Sequence, residues 1–191
     1  VALFVFDYLF EQALDYLNLT TLHAALPSQA SGIYTEERYK ASVAYQKDTA
    51  KFGFISSAFS FVLSGCMLVA GGFGWLHHFL SQYIVHPILL ALAFFGLLFV
   101  AFDLLSLPFQ YYATFVIEEK FGFNKTTPVL FFTDLAKSVL ISAVLGGVLL
   151  SLILGFLEFG GRFAWVICWA VSVIFLLIVQ YIVPTWIMPL F

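Results

Sequence analysis

The sequence predicts an all-α fold: a polytopic transmembrane helix bundle with four complete spans, a partial first helix and short cytoplasmic helices. Three observations carry this. The 191 residues are 62% hydrophobic and only 10% charged, whereas an ordinary soluble domain carries about 25% charged residues. A soluble globule of this size leaves roughly a third of its chain surface facing water, more than eleven acids and eight bases can cover. Residues 52–102 contain no Asp, Glu, Lys or Arg at all. Finally, the loops between apolar stretches alternate between Lys/Arg-rich and Lys/Arg-poor, the pattern of the positive-inside rule. Together these exclude a cytosolic enzyme and a disordered chain, and a net charge of -3 offers no polybasic surface for nucleic acid. The partner composition demands is the lipid bilayer.

The elements follow in order. Residues 1–14 read as the tail of an earlier helix, and Asp7, Glu11 and Asp15 at i, i+4, i+8 share one of its faces. An acid stripe against lipid is costly, so that face is expected to be wet or turned into protein. Residues 33–51 read as a polar helix entering the membrane, with Glu36 and Lys40 in the favoured i, i+4 order and Tyr34, Arg38, Ala41 and Tyr45 on one stripe. A single helix over 52–102 would run about 77 Å at 1.5 Å per residue, against a hydrocarbon core of about 30 Å. The chain must therefore fold back, and Gly71, Gly72, Gly74 and Pro87 mark where. This gives spans near 52–74 and 86–107 around a turn at 75–87. A third span is expected over 134–157, a tight polar turn at 158–162, and a fourth span over 163–183 that Pro184 ends or kinks.

Loop charge sets the orientation. Arg38, Lys40, Lys47 and Lys51 lie in segment 15–51, and Lys120 and Lys125 lie in 108–133. The turn at 75–87 holds no Lys or Arg, and that at 158–162 only Arg162. Segments 15–51 and 108–133 are therefore expected to be cytoplasmic. Cys66 and Cys168 fall inside apolar runs, so no disulfide framework is indicated. The sequence opens at Val1 and closes on Phe191, directly after a hydrophobic segment. It is expected to be a piece of a longer protein, read here as one domain over residues 1–191.

The dense polar cluster is residues 115–128. A helix carries Glu118, Glu119 and Lys120, Gly122 supplies a left-handed stop, and Thr127 with Pro128 reads as N-cap and first residue of the next helix. Phe123, Asn124 and Lys125 form the turn, and Asp134 and Lys137 follow at i, i+3. Two readings stand: a capped hairpin whose charges pair with each other, or a surface facing substrate or a docking domain. Asp103 is the one formal charge inside the second span's apolar text, and an acid there needs a partner or water. Lys137 is one candidate partner.

No catalytic motif is visible. The sequence has no His-Glu-x-x-His, no Gly-x-Ser-x-Gly and no P-loop. His77, His78 and His86 are close in sequence but have no acid or cysteine beside them, and His23 stands alone. These histidines read as interfacial and solvated.

The stretch FVIEEKFGFNKTT at residues 115–127, followed by an apolar helix with Asp134 and Lys137, resembles the N-terminal membrane region of the CAAX prenyl endopeptidases. These are integral-membrane zinc metalloproteases. RYKASVAYQKDTAKFGFIS at 38–56 resembles the passage before that family's second membrane helix, and IVPTWIMPLF at 182–191 the passage after its fifth. The resemblance covers nearly the whole sequence, in order. It implies a helix bundle around a water-filled chamber, with zinc held by a His-Glu-x-x-His helix and a later Glu. In the family that helix follows the passage with which this sequence closes. The resemblance therefore implies no catalytic residue and no metal ligand in this chain, zinc in the full-length parent, and an inactive segment by itself.

The function expected is a non-catalytic membrane region lining the chamber of such a protease, in the endoplasmic reticulum or a bacterial inner membrane. Its expected partners are the bilayer, the catalytic part of the same protein, and peptide or CAAX-like protein substrates. Residues 118–120, 123–125, Asp134 and Lys137 are expected to contact chamber or catalytic half. The alternative is a non-enzymatic transporter subunit or scaffold, with Asp103 in an ion path.

Overall fold

The computed structural model describes residues 1–22 and 35–190. His23 and Tyr34 of the sequence reading lie outside these. Among the described residues there is no strand, and six α-helices run in chain order. They are α1 (Ala2–Thr21), α2 (Glu36–Val69), α3 (Gly72–Ser81), α4 (Pro87–Tyr112), α5 (Pro128–Phe159) and α6 (Ala164–Ile182). Wide π-helical turns extend α4 through Ala113–Glu118 and α6 through Val183–Ile187.

Four of these helical stretches are long and apolar enough to cross a membrane: Glu36–Val69, Pro87–Glu118, Pro128–Glu158 and Gly161–Ile187. Their apolar side chains, such as Leu97, Leu104, Val144 and Leu176, are exposed. Among the described residues only Val43, Leu76, Ile117 and Ala164 are buried. Long helices that satisfy their own backbone while exposing apolar side chains are what lipid stabilises and water does not. The protein is an integral membrane protein.

Several boundaries differ from the sequence reading. The polar helix and the first span are one helix, α2, which begins at Glu36 with the Thr35 hydroxyl accepting from Arg38 N–H. Glu36 and Lys40 pair at 2.8 Å, as the spacing predicts. The helix stops at Val69, not 74, because Gly71 takes φ 71°. The segment read as a turn at 75–87 is mostly helical: α3 occupies Gly72–Ser81, and its glycines masked a helical spacing in which Leu76 is buried and Trp75 stacks on Phe79. Pro108 does not end the second span either. The helix continues through it to Tyr112, although proline removes one i→i−4 bond, and passes into the π-helical turn at Ala113. Pro184 lies inside the second π-helical turn, directly after α6 ends at Ile182, and there the Thr185 hydroxyl donates to the Tyr181 carbonyl at 2.6 Å. The third span starts at Pro128, six residues before the expected 134, because Thr127 caps it.

The chain divides into two compact units. One comprises Val1–Gly74 with Asp103–Thr126, the other Trp75–Phe102 with Thr127–Phe191. In the first, α1 lies on α2 through Phe4, Tyr8 and Gln12, one stripe at i, i+4, i+8. Phe4 and Tyr8 stack on Phe61 at 4.8 and 4.0 Å, and the Gln12 amide donates to Ser57 Oγ at 3.1 Å. Asp7, Glu11 and Asp15 lie on a neighbouring face, all exposed. The end of α4 lies on α2 through an aromatic ladder: Phe52 on Tyr112 at 4.8 Å and Phe59 on Phe109 at 4.8 Å. In the second unit α5 and α6 form a hairpin, in which the Cys168 thiol points at the Ile153 carbonyl at 3.5 Å.

Candidate functional site

The site is the polar hairpin after α4, in the first unit. Its backbone is set by Gly122. At φ 74° this glycine ends the helix in the left-handed region, where a Cβ is penalised. Gly122 N–H donates to the Glu119 carbonyl at 3.1 Å and Phe123 N–H to the Glu118 carbonyl at 2.9 Å. This is the Schellman closure, which satisfies two carbonyls that a helix end leaves open. The sequence-predicted stop is therefore realised with its full hydrogen-bond pattern.

The side chains then lock the turn. Asn124 uses both ends of its amide: Nδ2 donates to Glu119 Oε2 at 3.0 Å, and Oδ1 accepts from Thr126 N–H at 2.7 Å. Phe121 and Phe123 both meet the Tyr45 ring edge-on, with centroids 5.4 and 4.9 Å away. Lys120 reaches α2, where its ammonium donates to Asp48 Oδ2 at 2.6 Å, and it lies 5.2 Å from the Phe121 ring centre. Asp48 belongs to the charged first part of α2, before the apolar stretch opens at Phe52. The Lys120 ammonium beside it holds its carboxyl below the usual carboxylate range. Lys125 is exposed, and Glu118 is half-buried.

The charges of the hairpin do not simply pair with each other. Glu119 finds Asn124 inside the hairpin, but Lys120 finds Asp48, 72 residues away. Asp48 and Tyr45 are the hairpin's neighbours on α2 that sequence reasoning did not single out. Tyr45 was visible as part of a stripe on α2. Asp48 carried no local signal, flanked as it is by Lys47 and Lys51.

The remaining expected residues are elsewhere. Asp134 and Lys137 lie in the second unit and pair at 3.0 Å, i to i+3 along α5. Thr127 caps that helix through Leu130 N–H at 3.3 Å, with Pro128 at its start. Asp103 is half-buried on α4. Among the described residues, no three His, Cys, Asp or Glu side chains converge as a metal-binding group. Those side chains do not make a zinc site among the described residues. What the hairpin does chemically is hold: Glu119, Lys120 and Asn124 engage one another, the backbone and α2.

Three comparisons bear on this arrangement. The family described as CAAX prenyl protease N-terminal, with five membrane helices, matches residues 15–191. The CAAX prenyl protease 1 homolog of Arabidopsis thaliana is 30% identical over 100% of this chain and 47% of its own length. The CAAX prenyl protease 1 of Saccharomyces cerevisiae is 31% identical over 97% of this chain and 43% of its own. Among solved structures, the crystal structure of Ste24p from S. mikatae superposes with a TM-score of 0.83 at 33% identity, covering 100% of this chain and 46% of that one. The chain spans about half the length of the curated relatives it matches.

Proposed function

The chain belongs to the CAAX prenyl protease N-terminal family, and from that premise we propose that it builds the non-catalytic membrane wall of a zinc-dependent endopeptidase acting on CAAX-like protein C-termini. The observation that carries the reading is the match of residues 15–191 to the family, together with a shared fold over the whole chain. In this reading zinc and its general base belong to the part of the relatives that this chain does not span.

The exposed face of Asp7, Glu11 and Asp15 supports a water-filled chamber. An acid at the bilayer centre costs about 2.5–3.5 kcal/mol even on insertion-based scales, so an acid face on a helix packed beside the apolar part of α2 favours water over lipid. In this reading residues 118–120 and 123–125 brace the hairpin against α2 and set one edge of the chamber. Segments 15–51 and 108–133 face the cytoplasm, by their lysines and arginines. The membrane is the endoplasmic reticulum or a bacterial inner membrane.

The test compares the full-length protein with the 191-residue chain, both in detergent, on a prenylated C-a-a-X peptide with and without a zinc chelator. Chelator-sensitive cleavage by the full-length protein and none by the shorter chain is expected. Absence of cleavage and of bound zinc in the full-length protein would overturn the reading.

A further inference from the structure

Between α2 and the π-helical end of α4, within the first unit, lies a cleft of about 370 Å³. Its lining includes Asp48, Lys51, Phe52, Tyr112, Val116 and Lys120. Its two halves differ in chemistry. One wall carries two ammoniums against one carboxylate, leaving a net positive charge. The other is apolar, with Ile55 and Ile117 completing it. The Asp48–Lys120 bond at 2.6 Å fixes Lys120 at the cleft. Lys51, one helical turn beyond Asp48, has no carboxylate within ion-pair distance among the described residues, and it is exposed.

The depth of this cleft is also written in the chain. Lys51 is the last charge before the charge-free run of residues 52–102, and Lys120 stands two residues beyond Glu118, where the second apolar span ends. Both lysines thus stand at the level where hydrocarbon gives way to water. Basic pockets between membrane helices at this level suit lipid phosphates, and each lysine there contributes a roughly fivefold preference for anionic lipid.

We propose that this cleft is a binding site for an anionic glycerophospholipid, whose phosphate is taken by Lys51 and Lys120 and whose first acyl carbons lie on Phe52, Ile55, Tyr112 and Val116. Free phosphate is the poorer occupant, because it leaves the apolar half of the cleft empty. One surplus positive charge matches the single negative charge of a phosphodiester. The site is independent of the proteolytic reading: no residue of it is asked to take part in cleavage.

The experiment is native mass spectrometry of the full-length protein released from detergent, after titration with phosphatidylglycerol or with phosphatidylcholine. The wild type is expected to retain one phosphatidylglycerol preferentially. K51Q is expected to lower that retention about fivefold and to leave phosphatidylcholine unchanged. K40Q removes the same charge from the same helix, about 16 Å away along its axis at 1.5 Å per residue, and is expected to have no effect. Equal loss with K51Q and K40Q, or no loss with K51Q, would overturn the site. Displacement of the lipid by millimolar inorganic phosphate would overturn the apolar half of it. Both lysines are exposed, so these variants leave packing intact; I55W, which fills the apolar half from an exposed position, provides a second route and is expected to lower retention as well.

Discussion

Lys120 Nζ lies 2.6 Å from Asp48 Oδ2, joining the end of the second long apolar helix to the polar start of the first across 72 residues of sequence. This bond and the Tyr45 cluster beside it fasten the hairpin at residues 119–126 to α2.

The bond is expected to show as a coupling. D48N and K120Q should each lower the melting temperature of the purified protein, and the double variant should be no less stable than the weaker single one. The Asp48 carboxyl is depressed in the folded state by Lys120. Its contribution is therefore present above the unfolded carboxylate value and is lost as pH falls through the folded one. A double-mutant cycle by thermal melts, stepped down from pH 7 through the acid range, checks both points; coupling that does not diminish at all as the pH falls would contradict them.

Gly122 offers a clean measure of backbone strain. Nothing lies within 4 Å of the place a Cβ would take, yet φ is +74°. G122A is therefore expected to destabilise through conformation alone, by about 1–2 kcal/mol. Denaturant titration against wild type measures it, and an unchanged midpoint would show that the helix end has found another closure.

Asn124 is expected to tolerate neither truncation nor charge. N124A loses two hydrogen bonds, at about 1 kcal/mol each. N124D keeps the acceptor for Thr126 N–H but sets a second carboxylate about 3.0 Å from Glu119. It should be less stable than N124A at pH 7 and should recover on acidification as one carboxyl takes a proton, the direction expected of paired acids. A melting curve across pH distinguishes the two variants.

The acid face of α1 is expected to be wet. In a background lacking Cys66 and Cys168, cysteine at Asp7 or Glu11 should react with a membrane-impermeant thiosulfonate. Cysteine at Leu97 or Leu176, exposed side chains in the middle of apolar helices, should not. Protection of the α1 positions equal to that of Leu97 would remove the chamber from the reading.

Much of this architecture was legible because lipid imposes a coarse rule. A helix of the right length with little formal charge has few alternatives, so the four spans could be placed from the charge-poor runs and the glycines and prolines that interrupt them. The caps were legible for the opposite reason. Gly122, Thr127 and Pro128 act within a few residues, and each demands one backbone state. Boundaries failed where two local signals competed. The glycines around 71–74 suggested a loop, yet α3 begins among them because Leu76 is buried and Trp75 and Phe79 stack. The expected end at 107 failed too, because the helix runs on through Pro108 to Tyr112 and into the wider turn. Asp48 was invisible as a partner, since no sequence pattern encodes a contact across 72 residues.

The wide turn at Ala113–Glu118 has one further consequence. In an α-helix each residue advances its side chain by about 100° around the axis, and a π-turn takes up one residue more before the chain comes round. It is a phase shifter inside an otherwise continuous rod. The aromatic rungs at Phe109 and Tyr112 and the polar rungs from Glu118 onward are indexed by two different clocks. A heptad or 3.6-residue template laid along the whole helix misassigns every face after Tyr112. Loss of one residue from this stretch would leave the helix intact while turning Lys120 away from Asp48.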